Sequence, residues 1–333
     1  EKDERRRDTL SDEKIAALQN ECDFWRFLQF EFFRELTALK DYAKTKNVAL
    51  IGDIPIYVAY DSADVWAHPE IFRLDKNMRP KEVAGVPPDY FSADGQLWGN
   101  PLYDWKKQQA DGFLWWHHRL LHQLQFFDKI RIDHFRAFES YYAVPYGATT
   151  AKIGRWVKGV GTKIFDGLDL DGRIIAEDLG IITDKVRRLV KRTGFPGMKV
   201  FQFAFDGKCD NEHLPENVKY NTVYYTGTHD NDTLKGWYDA QGDGTKEYVK
   251  KTLGATDENV FDKAFKRVMR SRAKFVIVPM QDYLLQGSEA RMNTPGTNDG
   301  NWKYVLPKNY AKVKNRIRKY VRNRCGDSRN KNK

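Results

Sequence analysis

The chain has 333 residues, 41% apolar and 14% aromatic, more than a disordered polypeptide carries, and no apolar run reaches the roughly 18 residues of a membrane helix. Lys and Arg number 56 against 46 Asp and Glu, a formal charge of +10, yet 308–333 alone hold 11 Lys or Arg and one Asp, so residues 1–307 sum to zero. The body is therefore not basic, which argues against nucleic acid as the partner, and the basic segment reads as a solvated C-terminal tail. Three scattered cysteines, Cys22, Cys209 and Cys325, make neither a disulfide framework nor a zinc cluster and fit a reducing compartment.

The sequence opens on Glu1 in a charge run with no signal-peptide core. Residues 11–46 read as one long amphipathic helix. Ile15, Leu18, Cys22, Trp25, Leu28, Phe32, Leu36, Leu39 and Ala43 recur at three- and four-residue steps, and Ser11 can cap it. VALIGDIPIYV (48–58) follows with a buried-strand pattern. Residues 59–103 form a long insertion rich in Pro, Gly and aromatics, ending in WGNPLYDW. Trp25 and Trp66 read as core. Five more short apolar strands are expected at 129–135, 173–180, 198–205, 222–231 and 275–284, with helical stretches at 104–127, 150–166, 183–193 and 256–273. This alternation argues for parallel strands joined by helical crossovers. Asp53, Asp133, Glu177, Asp230, Gln281 and Asp282 gather at the C-terminal ends of the strands, the rim where a (β/α)8 barrel carries its chemistry. A Rossmann-type sheet is the other parallel option, but no G-x-G-x-x-G follows the first strand. Six strands are visible where a closed barrel needs eight.

Three acids carry the chemical signal: Asp133 in RIDHFR, Glu177 in IIAEDLG and Asp230 in GTHDN. Strand alternation puts Arg131 and Asp133 on one face and Ile130 and Ile132 on the other. A guanidinium beside Asp133 keeps that carboxylate ionised, as a nucleophile needs. Neighbouring carboxylates let Glu177 retain its proton to higher pH, as a general acid needs. One ionised and one protonated carboxyl make a glycosidase pair. The flanking His134 and His229 suit sugar hydroxyls. A His and Asp cluster could also hold a metal, but no H-x-H or H-x-x-x-H spacing supports one.

RIDHFR, IIAEDLG and GTHDN resemble the catalytic strand ends of the 4-alpha-glucanotransferases (amylomaltases or disproportionating enzymes, glycoside hydrolase family 77), relatives of the alpha-amylase clan. The likeness extends through GDIPIYVAYDSADVW (52–66), EVAGVPPDYFSADGQLWGNPLYDW (82–105), PGMKVFQFAF (196–205), VPMQDYL (278–284) and SEARMNTPGTNDGNW (288–302), nearly everything from about residue 24 to 302. It implies an α/β fold, a (β/α)8 TIM barrel with insertions, here lacking its first two β/α units. Residues 1–307 would form this partial catalytic barrel, with 59–103 as an insertion subdomain at its mouth and 308–333 as a basic tail. It also implies transfer of alpha-1,4-glucan segments between maltodextrin donors and acceptors by a retaining mechanism, with no metal or organic cofactor and no membrane partner.

By the same resemblance Asp133 is the nucleophile, Glu177 the acid and then the base, and Asp230 the holder of ring hydroxyls. Arg131, His134 and His229 flank that subsite. Asp89, Tyr90 and Phe91 lie over the cleft, with Trp98, Asn100 and Asn301 nearby. A lid of Pro87, Pro88, Tyr90 and Phe91 would exclude water while a sugar acceptor enters. Family members are longer at the N-terminus, which accounts for the two strands not seen. They also continue GNW with an aromatic and an arginine, where this chain has Lys303, Tyr304 and Val305, so a replaced C-terminus is expected. An amylase-like hydrolase and a truncated, inactive carbohydrate-binding remnant are the alternative readings. Bacterial cytoplasm is the expected home, with a plastid as the alternative.

Overall fold

The computed structural model describes residues 11–88, 93–297 and 299–329. Two compact units divide between Phe195 and Pro196. Among the described residues ten strands occur: β1 (Ile51–Ile54), β2 (Glu82–Val86), β3 (Gln96–Pro101), β4 (Lys129–Ile132), β5 (Ser140–Pro145), β6 (Arg155–Lys158), β7 (Ile174–Ala176), β8 (Gly197–Val200), β9 (Thr222–Tyr225) and β10 (Phe275–Ile277). All six strands expected from the sequence are present, each shorter than its apolar run.

In the first unit β1, β4 and β7 form a parallel sheet in the order β1-β4-β7. Asp53 lies opposite Arg131, and Ile132 opposite Ala176. Alternation sends Ile130, Ile132, Ile174 and Ala176 into a core shared with Trp116, Leu120 and Leu124 of the Leu114–Phe126 helix. Gly52 on β1 is required by close approach, since a Cβ there would collide with the Phe127 ring. Beside this sheet, β2, β3, β5 and β6 form an antiparallel sheet in the order β3-β2-β5-β6. Residues 59–103 therefore supply two of its strands, and Ser140–Pro145 and Arg155–Lys158 supply the other two.

The helix expected at 150–166 is not there. The segment instead holds a short turn at Ala151–Ile153, strand β6 and a second turn at Gly161–Phe165. Gly154 and Gly159 leave no room for a side chain, the first against Tyr142 and the second against the Phe138 carbonyl, and Gly161 has a φ of +73°. These glycines interrupt a helix, while Arg155-Trp-Val-Lys158 suits a strand. The 104–127 stretch divides likewise into Trp105–Ala110 and Leu114–Phe126, broken where Gly112 and Phe113 both turn left-handed.

The N-terminal helix is broken at Leu18 into Asp12–Ala17 and Gln19–Thr45. Ser11 caps the first piece, accepting from the Lys14 N–H. Trp25 is not core: it is 57% exposed, as are Phe24, Phe27, Phe30 and Phe32 to similar extents. The helix touches its unit through Phe33, stacked on Phe126 at 4.9 Å, and through Lys40, which donates to the Gln125 carbonyl. Trp66 is half-buried, on the short Ala63–Ala67 helix.

In the second unit β8, β9 and β10 form a parallel sheet with β9 in the middle. The helices Asp184–Thr193, in the first unit, and Val260–Arg270, in the second, match their expected positions. The segment read as a solvated tail is folded where described. The Lys314–Arg329 helix packs on Val260–Arg270 through Tyr320, which is 3% exposed and donates to Asp262 at 2.8 Å. Arg316 and Arg324 donate to the carbonyls of Tyr283 and Met269. Part of the basic charge thus satisfies helix-end carbonyls, where cations are favourable, rather than projecting into water.

Candidate active site

Asp133 follows β4 directly and Glu177 follows β7 directly. The strand ladders continue past the strand ends to hold both. The Asp133 N–H donates to the Ile54 carbonyl at 2.9 Å, and the Glu177 N–H to the Ile132 carbonyl at 3.1 Å. Arg131 and Asp133 share a face, as alternation requires. Arg131 Nη2 donates to Asp133 Oδ1 at 2.7 Å, while Nη1 reaches both oxygens of Asp53 at 2.8 and 2.7 Å. Burial pulls the guanidinium down, but the charges of Asp133, Asp53 and Glu177 outweigh it and hold Arg131 above its ordinary value. Asp53 was noted only as a strand-end acid, yet it fixes the arginine that holds Asp133.

Glu177 is 8% exposed. Its two oxygens accept the backbone N–H of His134 at 2.8 Å and of Leu179 at 2.7 Å. The N–H of the residue after Asp133 thus anchors the Glu177 carboxyl. Burial first, and the Asp133 charge second, push Glu177 up to about 7. The sequence pointed to neighbouring carboxylates as the cause; the larger cause is loss of solvent. A carboxyl near 7 is poised to donate a proton and to take one back at neutral pH.

His134 sits in a left-handed turn with φ +48°, its ring edge-on to Trp98 at 4.8 Å. Burial lowers it to about 4, so the imidazole is neutral at physiological pH and offers one donor and one acceptor. Trp98 Nε1 is tied to Gln96, and Asn100 donates to the Val58 carbonyl at 2.9 Å. Asp89, Tyr90 and Phe91 lie outside the described residues.

In the second unit Asp230 is not at a strand end. β9 stops at Tyr225, and Asp230 lies in the loop that follows. Asn293 donates to its Oδ1 at 2.6 Å, Arg291 to its carbonyl at 2.7 Å, and His229 Nε2 lies 3.3 Å from its Oδ2. The indole of Trp302 tilts over His229 at 5.3 Å. Beneath the loop, buried Asp282 accepts from Thr226 Oγ1 at 2.5 Å and from the Leu234 N–H at 2.7 Å. Asn301 accepts from the Thr294 N–H and donates to the Thr297 carbonyl, both at 2.9 Å. Asn293, Arg291 and Trp302 were not singled out, although all three stand in the quoted SEARMNTPGTNDGNW motif. Among the described residues no three His, Cys, Asp or Glu side chains are arranged to hold a metal ion, and no helix is long and apolar enough to cross a membrane.

The family described as 4-alpha-glucanotransferase matches residues 1–309. The chain belongs to that family. It is 45% identical over 312 residues to the 4-alpha-glucanotransferase of Aquifex aeolicus, an alignment that covers 92% of this chain and 64% of that protein. It is 46% identical over 309 residues to the chloroplastic/amyloplastic 4-alpha-glucanotransferase of Solanum tuberosum, covering 90% of this chain and 54% of that protein. Its structure resembles the amylomaltase of Streptococcus agalactiae in complex with acarbose, with a TM-score of 0.90 and 34% identity over 96% of this chain and 66% of that one. The chain has the α/β fold of the 4-alpha-glucanotransferase family and spans between half and two-thirds of the length of these relatives.

Proposed function

We propose that the chain transfers alpha-1,4-glucan segments from one maltodextrin to another by a retaining double displacement. Asp133 attacks the anomeric carbon and forms a glycosyl-enzyme while Glu177 protonates the departing glycosidic oxygen. Glu177, now a base, takes the proton from an acceptor sugar hydroxyl, which attacks the anomeric carbon and releases Asp133. Asp230 holds ring hydroxyls of the donor sugar. Arg131, His134 and His229 flank the same subsite, and Trp98, Asn100, Asn301, Asp89, Tyr90 and Phe91 are the further substrate-binding residues. The two carboxylates carry both steps, so no cofactor is assigned. The (β/α)8 barrel belongs to this reading, with β1, β4, β7, β8, β9 and β10 as six of its strands. Bacterial cytoplasm or a plastid is the corresponding compartment, given relatives of both origins.

One observation carries the proposal: Glu177, pushed up to about 7, has its carboxyl fixed by the N–H next to the arginine-paired Asp133. Incubation with maltotriose, with products resolved by size, is the test. Glucose together with a ladder of longer maltodextrins is the expected result. Glucose and maltose with nothing longer would mean hydrolysis. A folded chain with no turnover would refute the reading for this polypeptide.

A further inference from the structure

The first unit carries a groove of about 850 Å³, lined by neither Asp133 nor Glu177, that shares Glu139, Lys158, Lys185 and Arg188 with a second hollow of about 240 Å³. One side is the β6 strand and the other the Asp184–Thr193 helix. Five cations line the two hollows, Arg136, Lys158, Lys185, Arg188 and Arg192, against the acids Glu139 and Asp184. This is a local excess of positive charge on a body whose 1–307 residues sum to zero.

One of the cations sits where the helix gains nothing from it. Lys185 lies in the first turn of Asp184–Thr193, against the positive end of the helix dipole. Arg188 follows it at i+3 and Arg192 follows Arg188 at i+4, so like charges face each other along the groove side. Among the described residues none of Lys158, Lys185, Arg188 and Arg192 forms an ion pair; Asp184 pairs with Arg187 instead, at 3.4 Å. Arg136 is 5% exposed and its Nε has no hydrogen-bond partner. Its other nitrogens are held by the Ile181 carbonyl at 2.5 Å and Ser140 Oγ at 3.3 Å. The guanidinium stacks on the Trp156 ring at 3.9 Å, and that indole, 42% exposed, lines the larger hollow. Placements that break local rules without local gain are expected at sites that serve a ligand.

We propose that this groove binds a phosphomonoester carried on a glucose ring. The sugar lies against Trp156, whose aromatic face suits the apolar face of a pyranose. The phosphate pairs with Lys158, Lys185 and Arg188, which relieves their mutual repulsion. The volume falls in the range of small-molecule sites. Two sources share this chemistry, a free hexose phosphate and a phosphorylated glucan chain. The proposal does not rest on the transfer reaction, because glucose 6-phosphate alone supplies no glucan to transfer and its binding is read without turnover.

The test is calorimetric titration of the whole chain with glucose 6-phosphate, phosphorylated maltodextrin, unphosphorylated maltodextrin and inorganic phosphate. The same titrations are run on Lys185→Glu/Arg188→Glu, and thermal unfolding confirms that the variant folds. At least one phosphorylated sugar should bind at sub-millimolar concentration and lose tenfold or more in affinity in the double variant, while unphosphorylated maltodextrin binds equally to both. Tight binding of glucose 6-phosphate identifies the free metabolite class; binding of the phosphorylated chain alone identifies the polymer. Binding of neither, affinity unchanged in the folded variant, or inorganic phosphate binding as tightly as the sugar phosphates would overturn the proposal.

Discussion

At the ends of β4 and β7 the acids follow the strand with no intervening residue, and their surroundings are backbone and arginine. Asp133 and Glu177 extend the ladders, and Arg131 reaches from within β4 to Asp53 on one side and Asp133 on the other. Past β9 the arrangement differs. Asp230 lies five residues beyond Tyr225 in a loop, clamped by Asn293 and Arg291 from a distant segment and supported by buried Asp282. In the first rim the sheet itself sets the geometry. In the second, side chains of separate loops set it. Substitution of Asp133 should therefore separate chemistry from stability, and substitution of Asp282 should couple them.

The largest effects belong to the first rim. Asp133→Asn should abolish transfer while leaving the unfolding midpoint close to the parent, because the substitution keeps shape and polar contacts. Glu177→Gln should lower the rate by about 10²–10⁴-fold, the usual contribution of a general acid. Retained turnover in the folded Asp133→Asn protein would remove the nucleophile from the scheme. In the parent, the rate should fall as pH rises through about 7, because the proposed mechanism needs Glu177 to carry a proton when the glycosidic oxygen leaves.

Glu177 also sets a stability trend. Its folded pKa lies above its unfolded value, so between the ordinary carboxylate range and about 7 the native state holds more protons than the unfolded chain. Stability present at low pH is therefore lost as pH rises through about 7. The loss is roughly 3 kcal/mol, taken at about 1.4 kcal/mol per pKa unit. Glu177→Gln does not titrate. Urea unfolding should show it more stable than the parent at pH 8 and nearly equal at pH 4. A difference of the same size at both pH values would mean that packing, not ionisation, separates the two proteins.

The second rim should respond the other way. Asp282→Ala removes the acceptor for the buried Leu234 N–H and for Thr226 Oγ1. Leaving buried donors unpaired costs about 1–3 kcal/mol, so this variant should unfold at lower denaturant and lose activity in step. Full stability with reduced turnover would place Asp282 in the chemistry instead and erase the contrast between the rims.

The same contrast explains what the sequence made legible. KIRIDHF alternates, so Arg131 and Asp133 could be placed on one face before any coordinates, and six parallel strands could be found by their short apolar runs. The role of Arg291 and Asn293 could not, because a loop that closes on another loop 60 residues away leaves no periodic trace. The antiparallel sheet was hidden for a related reason. EVAGV and QLWGNP carry glycines that weaken a strand pattern, yet Gly85 is required where β2 shifts register against β3, its missing Cβ leaving room for the Gln96 carbonyl. Trp25 was misread because periodicity reports an apolar face without reporting what covers it. The 308–333 segment was misread because a run of Lys and Arg masked Val313, Ile317 and Tyr320, which pack. The pKa of Glu177 was given the right direction and a secondary cause, since burial is a property of the fold and not of the motif.

The smallest expected effect tests the clamp on Asp230 itself. Asn293 donates to Asp230 Oδ1 at 2.6 Å from a half-buried position, and its own N–H donates to the His229 carbonyl. Asn293→Ala keeps the backbone bond and removes only the side-chain one. Hydrogen bonds of this kind contribute about 0.5–1.5 kcal/mol, so stability should fall by no more than that. The functional consequence follows from what Asp230 is proposed to do. An unclamped carboxylate still binds sugar hydroxyls but samples other rotamers, so KM should rise more than kcat falls. Asn293→Asp makes the distinction sharper: it keeps the shape of Asn293 but replaces the donor with a charge that repels Asp230, and should be worse than Ala. If Asp proves the milder of the two, the clamp is a matter of volume and not of hydrogen bonding.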